Sequence, residues 1–205
     1  MAWKTRRSQI SELAEGLVKA GAMQFGTFTL PDGRETPYYI DLTDMLSYPG
    51  LFALAVDSMS KLVSAKAPRP DAVCGVPTDG LILAAPLALS LKKPLTYTAS
   101  SRQPSGKKIM GEVHPGWKVL VVDDLSRTGK SILAAAKAVQ EEGGEVTDAV
   151  VLIDRMEGAR ERLSKEGISL HCLTDVVELA DTLFSMELIA EGDLKAITKS
   201  VGRRQ

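Results

Sequence analysis

The sequence predicts an α/β fold: an open, mostly parallel sheet flanked by helices, with a small helix-and-hairpin hood at the N-terminus. Three observations carry that reading. From about residue 70 onward, short apolar runs alternate with stretches of helical spacing. Such alternation implies parallel strands joined by right-handed crossovers. Val119 to Val122 is continuously apolar, as expected of a strand covered on both faces. The first 45 or so residues break this rhythm with a helix and a turn-bearing segment.

The elements follow in order. Ser8 to Ala20 places Ile10, Leu13, Leu17 and Val18 at helical spacing, and Gly21 supplies a stop. Phe28 and Leu30 alternate before the turn signal Pro31-Asp32-Gly33, and Tyr38 to Leu42 follows, which reads as a hairpin. Leu51 to Val63 is a second amphipathic helix. After Pro68 and Pro70, Ala72 to Val76 reads as a strand, followed by a loop and a helix over Leu81 to Leu91. Pro94 to Thr98 and Val119 to Val122 are strands. Ser131 to Glu142 is a helix ended by Gly143-Gly144. Val146 to Ile153 and Ile168 to Leu173 are further strands, and helical sequence runs toward the C-terminus. The expectation is one domain over 1–205, with about 1–45 as the hood.

Composition excludes several classes of function. The 205 residues hold 25 Lys+Arg against 26 Asp+Glu, a net of −1, so no polybasic nucleic-acid wrapper is expected. At 44% apolar residues the chain is no acidic disordered polymer, and 5% aromatics is poor for stacking bases. Cys74 and Cys172 are too few for a disulfide framework or a zinc cluster. His114 and His171 form no pair at metal or catalytic spacing. No secretory signal is read, and the most apolar stretch is broken by Pro86, well short of the ~18 residues of a membrane span. A cytoplasmic protein without nucleic-acid or membrane partners is expected.

The chemistry concentrates in VLVVDDLSRTGKSI, residues 119 to 132. An apolar strand runs into Asp123-Asp124, then a turn over Arg127, Thr128, Gly129, Lys130 and Ser131, then a helix. Open α/β sheets bind ligands at the carboxyl ends of such strands. A tight turn opening a helix aims backbone N–H groups and positive potential outward, which makes a phosphate cradle. The paired acids suit the vicinal hydroxyls of a sugar. A phosphate on one side and a diol on the other describe a ribose 5-phosphate. Gly129-Lys130-Ser131 is no Walker A loop, because that pattern needs glycine where Asp124 stands.

VVDDLSRTGKS resembles the phosphoribosyl-pyrophosphate (PRPP) motif of type I phosphoribosyltransferases. TPYYIDLTDMLSYPG, VCGVPTDGLILAAPLA, VVLIDRMEGARERL and DTLFSMELI are similar, in order and spacing, to segments of orotate phosphoribosyltransferases. The likeness covers about residues 10 to 190. It implies the type I fold and a transfer of ribose 5-phosphate from PRPP to orotate. The products would be orotidine 5′-monophosphate and pyrophosphate, in pyrimidine (UMP) biosynthesis. It implies Mg²⁺ bridging substrate oxygens with few protein ligands.

Residue by residue, the resemblance implies that Asp123 and Asp124 hold the ribose hydroxyls and that the backbone of Arg127 to Ser131 cradles the 5-phosphate. Pro77, Thr78, Asp79 and Gly80 would form the pyrophosphate turn. Arg155 would pair with the orotate carboxylate, bidentately. The bland alternative for Arg155 is a surface ion pair with Asp154 or Glu157. The family's mobile loop, which serves the neighbouring subunit of a homodimer, corresponds to Thr98 to Gly111. Its cations here, and so its expected catalytic residues, are Arg102, Lys107 and Lys108.

The chain departs from the family pattern at Arg127, Pro31 and Asp79 and in the spacing of the loop cations. Two alternatives stay open at this level: a related phosphoribosyltransferase for another base, and a non-catalytic PRPP- or nucleotide-binding regulator.

Overall fold

The structure is a computed structural model. It describes residues 2–29, 33, 35–67, 69–99 and 107–202, the side chains of 2–5 excepted. In chain order the elements are α1 (Ala2–Lys19), β1 (Met23–Thr29), β2 (Glu35–Ile40), a 3-10 helix (Leu42–Ser47), α2 (Pro49–Lys66), β3 (Ala72–Gly75), α3 (Asp79–Leu91), β4 (Leu95–Thr98), β5 (Ile109–Met110), β6 (Val119–Ser126), α4 (Lys130–Glu141), β7 (Asp148–Asp154), α5 (Ala159–Ser164), β8 (Ser169–Asp175), α6 (Val176–Ser185) and α7 (Glu191–Gly202). Pro31 and Arg102 lie outside the described residues.

Two compact units emerge, 1–55 with 174–205, and 56–173. The second carries the expected sheet. Its strand order is β5-β4-β3-β6-β7-β8. β4, β3, β6 and β7 pair in parallel, with Cys74 beside Thr96 and Val121, and Val121 beside Ala149. β3 and the first half of β6 are wholly buried, which is why they read as unbroken apolar runs. Ala72, Cys74, Val119, Val121, Ala149 and Val151 share a core with Ile132, Ala136 and Val139 of α4.

The expected elements are present, with three differences that matter. β6 runs beyond its apolar run to Ser126, because Leu125 and Ser126 still pair with Ile153 and Asp154. The acid pair is therefore strand, not loop. The polar segment after β4 returns as β5, antiparallel, with Thr98 beside Ile109 and Tyr97 beside Met110. A two-residue strand and the six-residue α5 are too short to show a period.

The first unit contains the expected helix and hairpin. β1 and β2 pair antiparallel from Met23–Ile40 to Thr29–Glu35, with an irregularity between Phe25 and Phe28. The C-terminal helices belong to this unit too. Arg6 of α1 donates to both carboxylate oxygens of Glu178 in α6, each at 2.8 Å. Thr174 Oγ1 donates to the same carboxylate at 2.9 Å. Ile10, Leu13 and Leu17 of α1 are buried, as are Val176, Leu179 and Leu183 of α6.

Asp175 caps α6, its side chain accepting from the backbone N–H groups of Val177 and Glu178. Asp175→Ala is expected to lower stability by about 1 kcal/mol in urea unfolding, the usual worth of such a cap. An unchanged midpoint would show that the cap contributes nothing.

Candidate active site

The site is built where β3 and β6 end side by side. Val76 N–H donates to the carbonyl of Val122 at 2.9 Å, which ties the turn after β3 to β6. The Pro77–Thr78 peptide bond is cis, and α3 starts at Asp79. Gly80 sits directly against β6. A Cβ there would fall 2.7 Å from both Cα and Oδ1 of Asp123 and 2.8 Å from the carbonyl of Val122. Only a hydrogen fits, so glycine is required for this close approach.

On the other side β6 passes through Asp123-Asp124 and turns into α4. Gly129 makes the turn in the left-handed region, at φ 72°, ψ 6°. A Cβ at Gly129 would also meet Ala159 Cα at 3.2 Å. Backbone N–H groups at this helix start have no intrahelical acceptor and can face an anion.

A cavity of about 490 Å³ lies between the two turns. Pro77, Thr78 and Asp79 line one wall, and Asp123 and Asp124 the floor. Arg127, Thr128, Gly129, Lys130 and Ser131 line the other wall, and Arg155 stands at the end of β7. The structure thus brings together nearly every substrate-binding residue expected from sequence. Gly80 backs the cavity rather than lining it.

The electrostatics are unusual. Asp123 is 9% exposed, and Asp124 is part-buried. Burial is the largest influence holding the Asp123 carboxyl above its ordinary range, and the neighbouring Asp124 charge adds to it. Burial also raises Asp124, and the charge of Asp79 pushes the same way. Such a pair is costly alone and suits a partner that brings hydroxyl donors or positive charge.

Arg155 is 6% exposed, and its Nε lies 3.2 Å from Glu157 Oε1. Of the two readings of this arginine, the ion pair with Glu157 is present, but its side chains are buried rather than on the surface. The Asp154 carboxylate instead accepts from Ser126 Oγ, the Met156 N–H and Arg160 Nε. Sequence reasoning missed Ser126 as a site residue. Its place at the end of β6, opposite Asp154, rests on strand pairing that no local pattern reports.

Lys107 and Lys108 do not line the cavity. Both are exposed, and Lys108 Nζ pairs with Glu141 Oε2 at 2.6 Å. His171 bonds Asp148 at 2.7 Å, and exposed His114 stacks edge-on against Trp117. Among the described residues no cluster of three or more His, Cys, Asp or Glu has metal-site geometry.

A carboxyl with a raised folded-state pKa keeps its proton where the unfolded chain has released it. The stability this provides is lost as pH climbs through the raised value. Asp123→Asn removes the titrating group. The variant is expected to exceed the parent in stability by on the order of 1 kcal/mol at about pH 8.5, and by less at about pH 5. Urea unfolding at both pH values measures this, and an equal difference at the two would contradict the raised pKa.

A family model described as "Phosphoribosyl transferase domain" matches residues 43–181. An orotate phosphoribosyltransferase of Cenarchaeum symbiosum is 40% identical over 84% of this chain and 88% of its own. The structure of Leishmania donovani UMP synthase superposes with a TM-score of 0.83 at 29% identity; the match covers 94% of this chain and 42% of that longer one. The Mycobacterium tuberculosis orotate phosphoribosyltransferase in complex with PRPP matches with a TM-score of 0.68 at 32% identity, over 83% of this chain and 98% of that one. The chain belongs to the phosphoribosyl transferase family and, within it, to the orotate phosphoribosyltransferases.

Proposed function

We propose that the cavity binds PRPP and orotate and joins them, giving orotidine 5′-monophosphate and pyrophosphate. One observation carries the reading: the buried acid pair, the phosphate-type turn and Arg155 all open onto the same space. The Mycobacterium tuberculosis relative, solved with PRPP, supports it.

In this reading the N–H groups of the 127–131 turn hold the 5-phosphate. Asp123 and Asp124 accept from the ribose hydroxyls. Hydrogen-bond donors lower the cost of charge on the pair, so the substrate itself favours its ionised form. The C1′–pyrophosphate bond breaks with its electron pair leaving on pyrophosphate, a bond from an orotate nitrogen to C1′ forms, and the proton of that nitrogen is released. C1′ gains oxocarbenium character while charge builds on the leaving pyrophosphate. The adjoining acids stabilise the first, and the turn after β3 receives the second. Arg155 holds the orotate carboxylate and so aims the ring at C1′.

Mg²⁺ fits this donor set. Acids raised by burial and by neighbouring carboxylates favour a cation beside them, and Asp79 adds a third carboxylate on the same cavity. Asp123 and Asp124 would hold Mg²⁺, which would supply charge neutralisation of the pyrophosphate.

Arg102, Lys107 and Lys108 remain the proposed loop cations. The Lys108–Glu141 pair is exposed on both sides, so it is worth at most about 1 kcal/mol and is readily given up for a polyanion.

Orotidine monophosphate formation from orotate, PRPP and Mg²⁺ is the direct test; a chain that makes none overturns the proposal. Arg155→Ala is expected to raise the KM for orotate by about 10- to 100-fold, the worth of a charge-assisted pair. In the loop, Lys107→Ala and Lys108→Ala are expected to reduce kcat by on the order of 100-fold with little change in stability. If neither changes kcat, the loop cations lie elsewhere.

A further inference from the structure

Arg155 has to hold a small planar carboxylate at a fixed angle to the ribose, and a long side chain does not do that unaided. Its support sits behind it. Asp154, immediately before Arg155, is 1% exposed and serves three donors. Its Oδ1 accepts from Ser126 Oγ at 2.8 Å and from the Met156 N–H at 2.9 Å. Its Oδ2 accepts from Arg160 Nε at 2.8 Å. Arg160 Nη1 in turn donates to the Leu170 carbonyl at 3.1 Å, which secures the arrangement to β8. Ser126 closes the circuit, because its backbone carbonyl accepts from the Arg155 N–H at 2.9 Å.

The connectivity has a consequence for function. Ser126 ends the strand that carries Asp123 and Asp124, and Asp154 ends the strand that delivers Arg155. The side-chain bond between them crosses from the ribose-binding strand to the base-binding one. The residues on either side of Arg155 are both held by Asp154: one is Asp154 itself, the other is Met156 through its N–H. The left-handed backbone at Met156, φ 56°, is fixed by that same bond.

We infer that Asp154, acting with Ser126, is the positioning residue for Arg155 and sets the register between the base subsite and the ribose subsite. This rests on the proposed pairing of Arg155 with orotate. Asp154 touches no substrate, and its effect runs through the arginine. Glu157, whose side chain is buried beside the Arg155 Nε, is a second support.

The test is steady-state kinetics of the full chain with orotate and PRPP varied separately. Ser126→Ala removes one bond to Asp154 and leaves the carboxylate in place. It is expected to raise the orotate KM by about tenfold while the PRPP KM stays within about twofold. Ser126→Thr keeps the hydroxyl and is expected to recover most of the loss. Asp154→Asn presents an amide N–H to Arg160 in place of an acceptor, and its effect on orotate KM is expected to be larger. A merely structural role would lower thermal stability and shift both KM values together. Arg155→Ala and the unaltered protein are run alongside. If the unaltered protein makes no orotidine monophosphate, the functional reading itself fails. If it does, and Arg155→Ala weakens orotate but Ser126→Ala leaves orotate KM unchanged or shifts both KM values equally, the positioning role is overturned.

Discussion

The architecture is arranged around a buried repulsion. Asp123 and Asp124 sit at the end of a central strand, where burial makes both charges costly; the Asp124 charge adds to the cost at Asp123, and the Asp79 charge to that at Asp124. A fold tolerates this only if the surroundings are fixed well enough that the acids cannot move apart into solvent. The parallel pairing of β6 with β3 on one side and β7 on the other provides that rigidity. Gly80 presses α3 against Asp123, and Gly129 turns the chain away at the other end. A side chain at Gly80 would push Asp123 out of place, and one at Gly129 would press on Ala159 and Leu163.

The same arrangement accounts for how a chain of net charge −1 can serve a highly anionic substrate. In the proposed reading the acids serve the sugar hydroxyls, and the phosphates are met by something other than bulk charge. Backbone N–H groups at the start of α4 carry no formal charge and do not appear in the count of basic residues. Arg127 and Lys130 add local cations on the same turn. Asp79 opposes them from the facing wall, and in the proposed reading Mg²⁺ and the loop cations would offset it.

Much of this was legible in the sequence. The unbroken run Val119 to Val122 marked β6, and two acids directly after a buried strand marked the site, because such a placement is unfavourable unless it is used. Other features were illegible for physical reasons. The extension of β6 to Ser126 depends on pairing with β7, which composition cannot report. Asp154 and Glu157 read as surface partners of Arg155, since nothing local says that both are buried. Burial is a property of what lies across the sheet. The C-terminal helices joined the N-terminal unit through Arg6 and Glu178, partners 172 residues apart, far beyond any local pattern.

The loop cations show where charge and geometry part company. By composition Lys107 and Lys108 are interchangeable. The structure distinguishes them. The Lys108 carbonyl accepts from the Ala99 N–H at 2.8 Å, and its side chain rests on Glu141. Its backbone is therefore part of the β4–β5 hairpin, and only its side chain is at liberty to move. Breaking an exposed pair costs little, whereas unzipping Thr98 from Ile109 would forfeit backbone bonds at the sheet edge. Lys108 can contribute charge by a swing of its side chain from a fixed base. Lys107 stands one residue further from the hairpin, on the side toward the loop. The bond that fixes the Lys108 backbone to Ala99 belongs to strand pairing, and that is why a count of lysines could not reveal it.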